Sequence, residues 1–160
     1  MDALFQTQSN ELSTTTQKEK LFKDAERQWN TLSTEKGAPG RKVDFEIYKS
    51  ILYNLEIRKV YLDSKLSLEK FSSIVGTNTT YLSNAVNNYF GCNFKRLINS
   101  YRVVCAKELL DGKDCPVNEL FSRCGFASKS VFYVAFRKVV GMTPLQYISQ
   151  SRNPFMIQRN

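Results

Sequence analysis

From Asp44 to Tyr147 the apolar residues recur at steps of three and four, the spacing that gathers side chains on one face of a helix. Phe45, Tyr48, Leu52, Leu55, Lys59 and Leu62 form the first run, with Lys59 its lone polar member. They predict a helix of about five turns with Asp44 as N-cap. Ser67 is placed to cap a short second helix, Lys70 at its fourth position and Phe71, Ile74 and Val75 inward, ended by Gly76-Thr77. Asn78 caps a third, whose apolar face is Tyr81, Leu82, Ala85, Val86, Tyr89 and Phe90 and whose stop is Gly91. A long helix at 93–110 carries Phe94, Leu97/Ile98, Tyr101, Val104/Cys105 and Leu109. After a turn at Asp111-Gly112-Lys113-Asp114, Pro116 starts a fifth helix at a position that needs no N–H, with Val117, Leu120 and Phe121 inward up to Gly125. Ser128 caps a sixth with Val131, Phe132, Ala135, Phe136 and Val139/Val140 inward, closed by Gly141, and Thr143-Pro144 opens a seventh through Leu145 and Ile148.

The expected fold is all-α: a seven-helix domain at 43–152, preceded by a partly disordered or helical N-terminal arm at 1–42 and followed by a C-terminal tail at 153–160. Within the arm, residues 1–16 are polar and without period. Leu21, Ala25, Trp29 and Leu32 permit a helix from Lys18, which the Gly- and Pro-bearing loop at 34–42 ends. Whether the arm packs on the domain or on a partner stays open at this level.

Composition narrows the chemistry. The formal charge is +8, and residues 91–160 hold 11 Lys/Arg against 4 Asp/Glu, so the excess sits in the C-terminal half and suits a polyanionic partner. With no histidine, the commonest general base and metal ligand is missing. Cys92, Cys105, Cys115 and Cys124 form no CxxC pair and read as small apolar residues of a reducing compartment. No Gly-rich phosphate loop, signal peptide or membrane-length apolar run is present. The expectation is a cytoplasmic protein without cofactor, metal or catalytic residues.

The chain also repeats a plan: short helix, glycine, turn, capped second helix, glycine, once at 67–91 and again at 116–141, joined by the helix at 93–110. A helix-turn-helix needs this order, because the glycine lets the second helix leave steeply and present its N-terminal polar face to a major groove. One such corner also serves any helical bundle. Two copies in the more basic part of the chain are far more specific.

Residues Tyr61 to Arg152, a little under 60% of the chain, resemble the DNA-binding domain of AraC/XylS-type transcription regulators. The likeness rests on Leu66-Ser67-Leu68, Tyr81-Leu82-Ser83, Asn93-Phe94 with Ile98-Asn99-Ser100-Tyr101-Arg102, and Ala106 with Leu109-Leu110. It rests most on Gly125-Phe126-Ala127-Ser128-Lys129-Ser130-Val131-Phe132, Phe136-Arg137-Lys138 and Gly141-Met142-Thr143-Pro144-Leu145-Gln146-Tyr147. The resemblance implies a sequence-specific regulator binding double-stranded DNA, its two recognition helices in successive major grooves about 34 Å apart, with 93–110 as the spacer. It implies base contacts by Thr79, Thr80, Ser83 and Asn84 in one groove and by Lys129, Ser130, Tyr133 and Val134 in the other. Asn84 suits adenine, Lys129 guanine, and Val134 a thymine methyl. Phosphates fall to Asn78, Lys95, Arg96, Ser128, Arg137 and Lys138. Each has a plainer use: Asn78 and Ser128 as caps, Arg137 and Lys138 against a helix dipole, while Arg102 suits an internal pair and Phe126, Phe132 and Phe136 the core.

Phe121 departs from the pattern. Four residues before Gly125, where Ser72 stands in the first copy, a small side chain is usual, so the second unit either opens slightly or repacks around it. Family members commonly carry a sensing or dimerisation domain and activate through contact with RNA polymerase. Residues 1–42 are too short and polar for a sensor, so the expectation is a free-standing DNA-binding protein or the cytoplasmic end of a longer polypeptide. The competing reading is a helical interaction adaptor that has lost DNA binding. An enzyme has almost nothing here to work with.

Overall fold

The computed structural model describes the backbone of residues 2–35, 42–112 and 115–152, and the side chains of 16–32, 44–112 and 115–151. Residues 36–41 of the expected loop, Lys113 and Asp114 of the expected turn, and the tail at 153–160 lie outside the described residues. Every regular element described is helical: α1 (Asp2–Glu35), α2 (Lys42–Leu52), α3 (Leu68–Val75), α4 (Thr79–Phe90), α5 (Phe94–Gly112), α6 (Leu120–Arg123), α7 (Lys129–Val140) and α8 (Pro144–Arg152). The all-α architecture, with seven domain helices and a helical arm, agrees with the sequence pattern. The chain divides into two compact units, residues 1–60 with 67–92, and residues 61–66 with 93–160.

The first unit is held by aromatic side chains. Ala25 and Trp29 of α1 are buried with Tyr48 and Leu52 of α2, and Phe45, Tyr89 and Phe90 close around them. Trp29 lies 4.7 Å from the Tyr89 ring and Tyr48 5.4 Å from that of Phe90, both tilted contacts of the kind aromatic quadrupoles favour. The arm therefore supplies core, and α1 runs as helix from Asp2, well before the Lys18 start that the apolar stripe suggested.

Two expectations for 44–62 fail. Asp44 is not an N-cap. The helix already begins at Lys42, and the Asp44 carboxylate, in the first turn where the dipole favours a negative charge, accepts a 3.0 Å hydrogen bond from the Tyr89 hydroxyl. Nor does one helix run to Leu62. At Leu52 the backbone widens into a π-helical turn, Tyr53–Ile57, passes through a left-handed Lys59 (φ 51°), and tightens into a 3-10 turn, Val60–Leu62. The reason lies in Lys59, which a straight helix would carry on the apolar stripe. The break leaves Lys59 exposed, turns Leu62 out at 40% exposure, and buries Tyr61 instead.

The second unit has a core of Val103, Ala106, Leu120, Cys124, Phe126, Phe132, Ala135 and Phe136, drawn from α5, α6, α7 and the turn between the last two. Each fully buried Phe stabilises it by about 1.5–3 kcal/mol. Arg102 is buried beside that core and pinned to the 61–66 segment, its Nε donating to the Tyr61 carbonyl (2.8 Å) and Nη2 to that of Asp63 (2.9 Å). Burial lowers its pKa and the Asp63 charge partly offsets this. The expected internal partner of Arg102 is thus backbone carbonyl. Gly125 (φ 86°) faces the same segment so closely that a Cβ there would run into the Tyr61 carbonyl oxygen.

Phe121 is accommodated at the rim of the second unit's core. Its backbone acts as Ser72 does in the first: the residue after each glycine, Thr77 or Phe126, donates to the carbonyl five back, at Ser72 or Phe121. Ser72 is buried, its hydroxyl bonded to the Glu69 carbonyl, whereas Phe121 sits half-buried at the core's rim. The helix starts differently too. Pro116 is not its first residue but precedes a 3-10 turn, Val117–Glu119, which leads into a four-residue α6. Leu120 and Cys124 fill the interior. A hydrogen bond with Cys105, then burial, keeps the Cys124 thiol protonated, as expected of a structural cysteine.

Candidate nucleic-acid interface

Both second helices of the repeat are built alike. Asn78 accepts from the Tyr81 N–H at 2.8 Å and Ser128 from the Val131 N–H at 3.3 Å, so both predicted caps act as caps. α4 and α7 each then run 12 residues to a glycine with positive φ. Aligned on their caps, they present matching exposed stripes, Thr80, Asn84, Asn87 and Asn88 on α4 and Ser130, Val134, Arg137 and Lys138 on α7.

The sequence-derived base readers divide against this geometry. Thr80 and Asn84 stand exposed on α4, while Thr79 and Ser83 are half-buried flanks of the same face. On α7, Lys129, Ser130 and Val134 are exposed, but Tyr133 packs edge-on against Phe132 and is half-buried. Several exposed positions differ from the sequence reading. Asn87 continues the Thr80–Asn84 stripe at the next helical step, a signal present in the spacing. Val131 was assigned to the core, yet it is 46% exposed beside Ser130, and Val139 is likewise turned out at 47%.

The cations sort by use. Arg102 is spent on carbonyls, Lys107 lies 5.7 Å from the Tyr147 ring, and Arg123 pairs with Glu119 at 3.1 Å. The side chains of Lys95, Arg96, Lys129, Arg137 and Lys138 make no hydrogen bond, ion pair or ring contact among the described residues. Three of these five, Lys95, Arg96 and Lys138, meet on one open groove of about 600 Å³ between the start of α5 and the far end of α7. Asn93, Asn99 and Ser100 also line it. Asn93 caps α5, its side chain accepting from the Arg96 N–H at 2.8 Å. No acidic side chain lines this groove or stands in the first turn of α5, so two lysines, an arginine and the α5 N-terminus outweigh the carbonyl end of α7 and leave the groove positive. Arg137 stays outside the groove, on the α7 stripe.

A family model described as a helix-turn-helix domain matches residues 71–150, which runs from within α3 through α4, the connecting α5, α6 and α7 into α8. The chain belongs to the AraC/XylS-type helix-turn-helix family. Among curated proteins it is similar to the regulatory protein PocR of Salmonella typhimurium, 33% identical over 94 residues, covering 56% of this chain and 31% of that one. Among solved structures it resembles the C-terminal domain of AraT, a response regulator from Geobacillus stearothermophilus, at 28% identity and TM-score 0.58, covering 66% of this chain and 84% of that one. The DNA-binding domain of AdpA, determined in complex with a target DNA, shares the fold at 20% identity and TM-score 0.59, covering 69% and 97%. The chain spans 14% to 32% of the first three curated relatives it matches. In this AraC/XylS-type member α1 lies outside the matched segment. No helix among the described residues is long and apolar enough to cross a membrane.

Proposed function

We propose that this chain is the DNA-binding part of a transcription regulator, with α4 and α7 each reading a major groove of double-stranded DNA. The observation that carries the reading is the pair of exposed faces in matching register, with Lys95, Arg96, Lys129, Arg137 and Lys138, unpaired among the described residues, on and beside the second of them. On α4, Thr79, Thr80, Ser83 and Asn84 approach base edges, and Asn84 has the paired donor and acceptor that fit adenine. On α7, Lys129, Ser130, Tyr133 and Val134 do so, with Lys129 suited to guanine. Lys95, Arg96, Arg137 and Lys138, with the capped helix starts at Asn78 and Ser128, hold phosphates and set register. The chain works by binding, not catalysis. Its work lies in the cytoplasm, with RNA polymerase and a separate partner or sensing domain as its further contacts.

Selection from a randomised duplex library, followed by titration against salt, tests this. The expected result is a bipartite motif with half-sites about one helical turn apart and a log–log salt slope of roughly −4 to −7. Steep salt dependence with no enriched motif would leave a basic surface that reads nothing, and the regulator reading would fall.

A further inference from the structure

Valine has little reason to stand where α7 shows it. Val131 and Val134 are one helical step apart and 46% and 61% exposed, on a face otherwise made of Ser130, Arg137 and Lys138. Neither residue belongs to the core cluster, whereas Tyr133 between them is half-buried against it. Helix stability does not favour them, since β-branched side chains lose rotamer freedom in a helix and rank below Ala, Lys, Gln and Glu. Solvation does not favour them either, because two exposed isopropyl groups gain nothing in water. A contact made outside the chain would use both.

The charge around them limits the occupant. α7 contains Lys129, Arg137 and Lys138 and no acidic residue, and none of the three is paired among the described residues. An apolar strip framed by free cations suits a polyanion that carries methyl groups. In the major groove the thymine C5-methyl is the one apolar group on a base edge. We infer that Val131 and Val134 form a methyl-reading pair, so the half-site under α7 is selected for thymines through their C5-methyl groups. The half-site under α4, where Asn84 stands at the position of Val134, half-buried Tyr81 at that of Val131, and Thr80 and Asn87 are exposed beside them, is selected by hydrogen bonds. This rests on the proposed DNA-binding role and assigns a specificity-determining function to Val131, which the sequence pattern had put in the core.

The test uses the full 160-residue chain and the duplex enriched by selection. Replacing thymine by deoxyuridine removes the methyl group and leaves base pairing intact. Deoxyuridine in the α7 half-site should weaken binding about threefold to fivefold per methyl lost, the effect of one buried methyl-sized group, and in the α4 half-site it should change affinity little. The V131A/V134A double variant, at two surface positions where alanine is the better helix former, should bind the thymine and deoxyuridine duplexes alike. Equal affinity of the wild-type chain for both duplexes, or an unchanged ratio in the double variant, would overturn the methyl-reading pair while leaving specific DNA binding in place. Binding with no preferred sequence at all would instead bring down the regulator reading, and this inference with it.

Discussion

The two helix-turn-helix units share a backbone plan and differ in what each lays on it. In the first, α3 is a regular helix, Gly76 turns in open space, and the second helix, α4, carries no charged residue. In the second, a 3-10 turn and four helical residues do the work of α3, Gly125 is wedged against the 61–66 segment, and α7 carries three cations. The turn of the second is one residue longer, and the added length takes Phe126 into the core. Caps and glycines at fixed offsets are enough to specify the corner, while the side chains on either side can be exchanged for different packing and different chemistry.

The glycines offer the sharpest way to break that comparison. Gly76→Ala should cost about 1–2 kcal/mol, the penalty of a left-handed conformation for an L-residue. Gly125→Ala adds a collision with the Tyr61 carbonyl and should cost about 4 kcal/mol or more. Circular dichroism follows all helices, whereas the sole tryptophan, Trp29, reports on the first unit. Loss of helix signal ahead of the Trp29 fluorescence change is expected for Gly125→Ala. Equal shifts for the two variants would show that the wedge at Gly125 yields easily.

Arg102 has no counterpart in the first unit. Arg102→Met should destabilise the second unit by about 3 kcal/mol, because one buried and one half-buried carbonyl lose charge-assisted donors. A urea titration showing a loss under 1 kcal/mol, about the worth of one ordinary hydrogen bond, would mean that water replaces the guanidinium at no cost.

The smallest effects separate the readers. Asn84→Ala should weaken specific binding by about 1–3 kcal/mol and leave the salt slope unchanged, as an uncharged base contact does. Arg137→Ala should weaken binding to every duplex alike and flatten the slope by about 0.9. Affinities at several salt concentrations on selected and scrambled duplexes would distinguish the two. A salt-sensitive Asn84 variant would erase the contrast between an amide reader and a cationic one.

The sequence alone determined what is local. Ser67, Asn78, Ser128 and Thr143 cap as their spacing said, the last through a reciprocal pair with Gln146. A cap is settled by residues three apart, and a helical face by residues three or four apart, so both can be read from the string. Whatever depends on a distant partner was decided by tertiary structure. Trp29 needed Tyr48 and Tyr89 before the arm became core, and Lys59 needed the option of burying Tyr61 before the first long helix broke. Val131 looked like core because valine usually is. Only the packing of Phe132, Ala135 and Phe136 on α5 and α6 showed that the buried face of α7 was already full, which turns Val131 outward with the residues proposed to read DNA.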